Sequence, residues 1–242
     1  MYLVNNMKTY GEFINPKSKY LEEREEIEWV NVWRDKANEK CEKRVMLLGD
    51  STSRIMRGAL SAYLQVPVDL LATSAGLHDE LFINQLDAFF ASEEYTYTTI
   101  FVQIGHHAMI ASGGLQNGYL KDKDYEIFEQ DFRKLIQYLQ QFTDEIIIES
   151  IFYSVFPYKR TILNRLRRPK EKYNDEINAM KERKNEIMKK VAEDVQLPYC
   201  DINRIMMDKG SYYRHFDDIH YEERAKPFIV REMARYMRNI VE

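Results

Sequence analysis

From residue 45 onward, short apolar runs alternate with longer amphipathic segments, and this alternation constrains the fold more than any other feature. The apolar runs predict five strands, at Val45–Leu48, Val66–Leu71, Thr98–Ile104, Glu145–Phe152 and Leu197–Ile202. Apolar residues at three- and four-residue spacing predict helices at Arg54–Leu64, Glu80–Phe90, Asp124–Phe142, Tyr173–Val195 and Pro227–Val241. Strands that alternate with helices form a parallel sheet covered on both faces. We therefore expect a three-layer α/β/α sandwich with a five-stranded parallel sheet.

The segment before the first predicted strand carries a helical pattern of its own. Within residues 20–40, apolar side chains recur every three or four positions with charges between them. The repeating residues are Ile27, Val30, Trp33 and Ala37. We interpret residues 1–43 as an N-terminal helical extension that packs on one main domain, residues 44–242. The length of 242 residues suits such an arrangement.

The charge balance and the lack of long apolar segments bear on the partners and the location of the protein. The chain has 35 basic and 39 acidic residues and a net charge of −4, so we expect no nucleic-acid binding. No apolar stretch approaches the ~18 residues that a membrane span requires, so we expect no membrane span. The first 20 residues lack the pattern of a signal peptide. A cytoplasmic location is the resulting expectation.

The two cysteines, Cys41 and Cys200, do not form a disulfide framework, and no Cys/His pattern has the spacing of metal ligands. Cys200 lies in an apolar run, so we interpret it as a buried small side chain. His106 and His107 could be a packed pair or metal ligands, but no carboxylate accompanies them at ligand spacing. We therefore expect no metal.

A serine directly after the first strand and an Asp-x-x-His near the C-terminus indicate the chemistry. Gly49-Asp50-Ser51 ends the run at Val45–Leu48, and Asp217 precedes His220 by three positions. Serine is a weak nucleophile until a base takes its proton, which histidine can do when a carboxylate orients it. Parallel sheets place their sites beyond the carboxyl ends of the strands. The pattern predicts a triad of Ser51, His220 and Asp217.

The same residues also allow plainer structural interpretations. Asp50 and Ser51 suit a turn and a helix cap, and we interpret Asp50 itself as a structural hydrogen-bonding residue. His78 and His215 are interpreted as surface residues. The basic residues between positions 159 and 172 suit a solvated surface, and alternatively a grip on an anionic glycan or on the phosphates of an acyl-CoA.

These motifs resemble the SGNH (GDSL-like) hydrolase superfamily across roughly residues 44–238. Gly49-Asp50-Ser51 matches the first block of that family and Asp217-x-x-His220 its last. Gly76 matches the glycine of the second block, whose backbone N–H joins that of Ser51 in the oxyanion hole. His107 stands where the third block has asparagine, which is a departure from the pattern. The resemblance implies a flavodoxin-like fold and an oxyanion hole of Ser51, Gly76 and His107.

The activity that the resemblance implies is acyl-ester chemistry without a cofactor. We expect a serine esterase that hydrolyses short acyl esters, acetyl above all, on a small molecule or a carbohydrate. Arg54, one turn after Ser51, and His106 are expected to contact the substrate. One alternative is an O-acyltransferase that moves an acetyl group onto a glycan hydroxyl, with acetyl-CoA as a donor. The other is a glycan-binding relative without catalytic activity.

Overall fold

The computed structural model describes residues 8–14, 28–77, 79–91, 96–107, 120–154, 171–209 and 219–237, with the backbone alone for 171–175. Its strands are β1 (Val30–Trp33), β2 (Val45–Gly49), β3 (Val68–Thr73), β4 (Thr99–Val102), β5 (Ile146–Glu149) and β6 (Tyr199–Cys200). Its helices are α1 (Tyr10–Phe13), α2 (Ser51–Leu64), α3 (Glu80–Phe90), α4 (Asp122–Leu139), α5 (Glu171–Asp194), α6 (Ile202–Asp208) and α7 (Lys226–Ala234), with a 3-10 turn at Glu223–Ala225.

The strands form one six-stranded sheet in the order β1-β3-β2-β4-β5-β6. Strands β2 to β6 pair in parallel, as the sequence predicts. β1 pairs with β3 in the antiparallel sense at the edge of the sheet. The prediction of five parallel strands is therefore correct, and the sixth strand, the antiparallel β1, was not predicted.

The helix predicted over residues 20–40 is wrong throughout its described part, residues 28–40, where Val30–Trp33 form β1 and no residue is helical. Val30 pairs with Thr73 and Trp33 with Leu70, so β1 supplies hydrogen-bond partners to the outer edge of β3. Backbone groups at a strand edge need such partners, and this tertiary demand overrides a weak helical spacing. The short helices α1 and α6 are further elements that the sequence analysis did not predict.

Two apolar layers hold the helices against the sheet. In β2, Met46 and Leu48 pack with α1, α3, α4 and α5, whereas Val45 and Leu47 pack with α2, α6 and α7 on the opposite face. All five residues of β2 are buried, as expected for a strand covered on both faces. The three-layer prediction is confirmed, and β2 forms a rigid base for the residues that follow it.

None of the helices in the described parts of the chain is both long and apolar enough to cross a membrane.

Candidate active site

Ser51 and His220 meet at the carboxyl edge of the sheet. Ser51 is the first residue of α2 and follows β2 after a single residue. The Nε2 atom of His220 lies 2.7 Å from the Oγ atom of Ser51. Both residues are partly exposed, so a substrate can reach them. A serine hydroxyl at hydrogen-bond distance from an imidazole nitrogen is the geometry of a nucleophile and its general base.

The turn that presents Ser51 depends on Gly49 and Asp50. A Cβ atom at Gly49 would lie 2.6 Å from the backbone oxygen of Gln103, so only glycine allows the ends of β2 and β4 to approach. The buried Asp50 caps α2, because its Oδ1 accepts hydrogen bonds from the N–H of Thr52 at 2.8 Å and from its hydroxyl at 2.7 Å. Asp50 therefore has a structural role in fixing the turn.

Gly76 and His107 lie beside this turn. They line one small cavity of ≈ 30 Å³ together with Asp50, Gly105 and Lys184. Its remaining walls are mostly apolar, from Ala75, Leu77, Ile104, Leu120, Ile127 and Phe128. The structure thus brings two of the three predicted oxyanion residues to one cavity next to the third, Ser51.

The loop after β4 carries both histidines, and the residue before them has a left-handed backbone conformation. Gly105 has a φ of 115°, a conformation that favours glycine. A Cβ atom there would also lie 3.2 Å from the Phe128 ring. The ring of His107 contacts the ring of Trp29 edge to face, with centroids 5.8 Å apart. His107 therefore lies between the cavity and the N-terminal segment.

His106 is buried, and its Nε2 atom lies 3.5 Å from the Nζ atom of Lys181. Burial, and then the charge of Lys181, lowers the pKa of His106 well below its usual range. His106 is consequently a neutral imidazole at the pH of most cells. His106 therefore lies in the interior beneath the loop, and its expected contact with the substrate stays a prediction.

Arg54 and Trp29 form the rim of the site. Arg54 is exposed one helical turn after Ser51, and its guanidinium lies 5.8 Å from the centre of the Trp29 ring. The backbone at Trp29 is held there because its amide N–H donates to Ser74 Oγ at 2.9 Å, while the Ser74 hydroxyl donates to Glu28 at 2.6 Å. The segment before β1 is thus tied to the loop after β3. The sequence analysis missed Trp29 because it interpreted this segment as part of a helix.

Buried charged groups lie under the site as well. Lys184 of α5 donates hydrogen bonds from Nζ to the backbone oxygens of Gly105 and His107. Glu149, at the end of β5, is fully buried, and burial followed by the charge of Asp50 raises its pKa to about 8. The sequence held a signal for both residues that the analysis did not use: Glu149 lies within the predicted strand Glu145–Phe152, and Lys184 lies at helical spacing between Met180 and Ile187.

Several predicted residues cannot be placed in this geometry. Asp217, His78 and His215 lie outside the described residues, as do positions 159–170 of the basic segment. Cys200 is buried in β6, and burial raises the pKa of its thiol well above the usual value. Among the residues that the structure describes, no group of three or more His, Cys, Asp and Glu side chains could hold a metal ion.

Comparison with solved structures identifies the architecture, although no protein-family model and no curated protein matches the sequence. Axe2, an acetylxylan esterase from Geobacillus stearothermophilus, is 12% identical with a TM-score of 0.52, covering 81% of this chain and 94% of Axe2. A protein from Slackia heliotrinireducens assigned to the SGNH hydrolases is 17% identical with a TM-score of 0.51, covering 81% and 98%. The chain has the SGNH hydrolase fold.

A third structure of this fold is LAE5, an alpha/beta hydrolase enzyme from the metagenome of Lake Arreo. It is 13% identical with a TM-score of 0.57, covering 84% of this chain and 98% of LAE5. At these identities the likeness concerns the fold. Within the SGNH hydrolase fold, Ser51 lies at the end of a central strand, and His220 reaches it from the segment before α7.

Proposed function

We propose that this protein is a serine esterase that hydrolyses short acyl esters, acetyl in particular, carried by a carbohydrate. The observation that carries the proposal is the distance of 2.7 Å between Ser51 Oγ and His220 Nε2 at the carboxyl edge of the sheet. The acetylxylan esterase activity of Axe2, a neighbour in fold, supports an ester of a sugar as substrate. The mostly apolar cavity lined by Gly76, His107 and Asp50, the residue before Ser51, supports an acyl group with an apolar chain.

The first half of the reaction forms an acyl-enzyme. Ser51 Oγ attacks the ester carbonyl carbon while its proton moves to His220 Nε2. The carbonyl oxygen becomes an oxyanion, which the N–H groups of Ser51 and Gly76 and the His107 side chain stabilise. The intermediate then collapses, the bond to the sugar oxygen breaks, and His220 returns the proton to the leaving alcohol. In this proposal Asp217 orients His220 and stabilises its imidazolium form.

The second half releases the acid. A water molecule gives its proton to His220 and attacks the acyl carbon, and the same donors bind the second oxyanion. Collapse of this intermediate breaks the bond to Ser51 Oγ, which takes the proton back from His220. The products are a carboxylic acid and the free enzyme, so the cycle needs no cofactor.

The experiment is a panel of p-nitrophenyl esters of increasing acyl length together with acetylated xylo-oligosaccharides, tested with wild type and Ser51→Ala. We expect hydrolysis of the acetyl esters, a decline with longer chains, and loss of activity in Ser51→Ala with an unchanged fold. Undiminished turnover by Ser51→Ala would refute the serine mechanism. Acetyl transfer to an added glycan, with little free acetate, would replace the esterase by a transferase.

A further inference from the structure

A row of polar side chains runs along the buried side of α5, beneath the loops of the site. It consists of Asn178, Lys181, Lys184 and Asn185. Lys181 is 1% exposed and Lys184 is 3% exposed. Lysines are almost never buried to this degree unless their ammonium groups have hydrogen-bond acceptors, because burial of a charge costs free energy. The groups that accept hydrogen bonds from Lys181 and Lys184 therefore indicate which part of the protein each lysine holds in place.

Three members of the row bind the chain that follows β5. Asn185 accepts a hydrogen bond from the N–H of Ile151 at 2.7 Å and donates to its oxygen at 3.0 Å. Asn178 makes the same pair of bonds to the backbone of Ser154, at 2.7 and 2.9 Å. Lys181 donates to the hydroxyl of Ser154 at 2.8 Å. These contacts hold a loop that contributes none of the proposed catalytic residues.

Lys184 instead binds the backbone of the loop after β4, which carries His107. Its Nζ atom lies 2.9 Å from the oxygen of Gly105 and 3.2 Å from the oxygen of His107. Two carbonyl oxygens that converge on one ammonium group fix the peptide planes that follow Gly105 and His107, one on each side of the His106-His107 pair. They thereby fix the direction in which the His107 side chain leaves the backbone.

The same ammonium group lies close to where charge develops in the reaction. Lys184 lines the cavity that Asp50, Gly76 and His107 also line. Its Nζ atom is 5.1 Å from the centre of the Phe128 ring, which closes that side of the group to water. The charge of the buried Lys184 acts more strongly on a nearby oxyanion than an exposed charge would, because solvent screens it little.

We propose that Lys184 is a positioning residue for ester hydrolysis, which holds His107 in the oxyanion hole and places a positive charge beneath it. This inference rests on the proposed esterase function. Lys184 would fix the backbone of the loop after β4 at His107, the position where the family pattern has asparagine. An asparagine in that place would have a short side chain, whereas the longer His107 requires an anchored backbone to direct its ring nitrogen.

The test compares Lys184→Met with a control, Asn185→Ala. The control removes the next side chain of α5, which is also buried and polar but binds the loop after β5 instead of the loop after β4. We expect Lys184→Met to lower kcat by about 10- to 100-fold, somewhat less than the loss of a direct oxyanion donor. KM is expected to change little, because ground-state binding does not use this contact. Lys184→Arg, which keeps the charge and donors, is expected to recover part of kcat. Asn185→Ala is expected to lower the melting temperature and leave kcat near wild type.

Hydrogen exchange gives a readout that does not depend on activity. Backbone amides of residues 104–107 are expected to exchange faster in Lys184→Met and at the wild-type rate in Asn185→Ala. Equal kcat in the two variants, or unchanged exchange at 104–107 in Lys184→Met, would overturn the proposal. A wild type without esterase activity would refute the proposed function, while the exchange measurement would still decide whether Lys184 holds the loop.

Discussion

His220 Nε2 and Ser51 Oγ lie 2.7 Å apart although 169 residues separate them in the chain. Such a pair acts as one unit, since the serine is a poor nucleophile without the base and the base has no proton to take without the serine. We expect Ser51→Ala and His220→Ala each to abolish most of kcat, and the double variant to lose no more than either single variant. Additive losses in the steady-state kinetics would show that the two residues work independently.

The His107 side chain is expected to donate an N–H to the oxyanion. His107→Ala should lower kcat by ~10²–10³ with little change in KM, the usual loss for one such donor. His107→Asn should retain much of kcat, because the amide offers an N–H from a similar place. The measurement is steady-state hydrolysis of a p-nitrophenyl acetate. A kcat of His107→Ala equal to wild type would make His107 structural, and the oxyanion hole would rest on backbone N–H groups.

Glu149 is expected to make stability fall as the pH rises. Its pKa is raised to about 8 in the folded protein, whereas an unfolded glutamate has its usual value of 4.5. Between these values the folded state retains a proton that the unfolded state has lost, so the free energy of unfolding decreases with rising pH.

The test is the difference between wild type and Glu149→Gln. The decrease attributable to Glu149 is on the order of 5 kcal/mol across the full interval. Glu149→Gln, which stays neutral, should therefore have a flatter profile from pH 5 to 8 in urea denaturation. Parallel profiles of the two proteins would show that Glu149 does not carry its proton in the folded state.

The sequence predicted the parts of this protein that follow from local pattern. Apolar runs such as Val45–Leu48 are continuous in parallel strands because helices cover both faces, so β2 was recognisable. Ser51 was recognisable as well, because the Gly49-Asp50-Ser51 turn after such a strand occurs together with the distant Asp217-x-x-His220. His220 could be paired with Ser51 because strand topology brings both to one edge of the sheet.

The parts that were missed depend on tertiary contacts. Val30 and Trp33 fit a helical spacing, and the unpaired edge of β3 decided that they form a strand. Lys181 and Lys184 are charged residues at positions next to or on the apolar stripe of their helix, and the loops above them supply the carbonyl and hydroxyl oxygens that allow burial. Trp29 reaches the rim of the site through a hydrogen bond to Ser74, a contact between segments 45 residues apart.

The measurement that tests the central claim most directly is covalent labelling of the purified protein with a fluorophosphonate, followed by intact-mass analysis. The reagent modifies a serine that a neighbouring base has activated. We predict a single adduct on wild type, located at Ser51 by peptide mapping, no adduct on Ser51→Ala, and much slower labelling of His220→Ala. Wild type that remains unlabelled, or an adduct that persists in Ser51→Ala, would contradict the assignment of Ser51 and His220 as nucleophile and base.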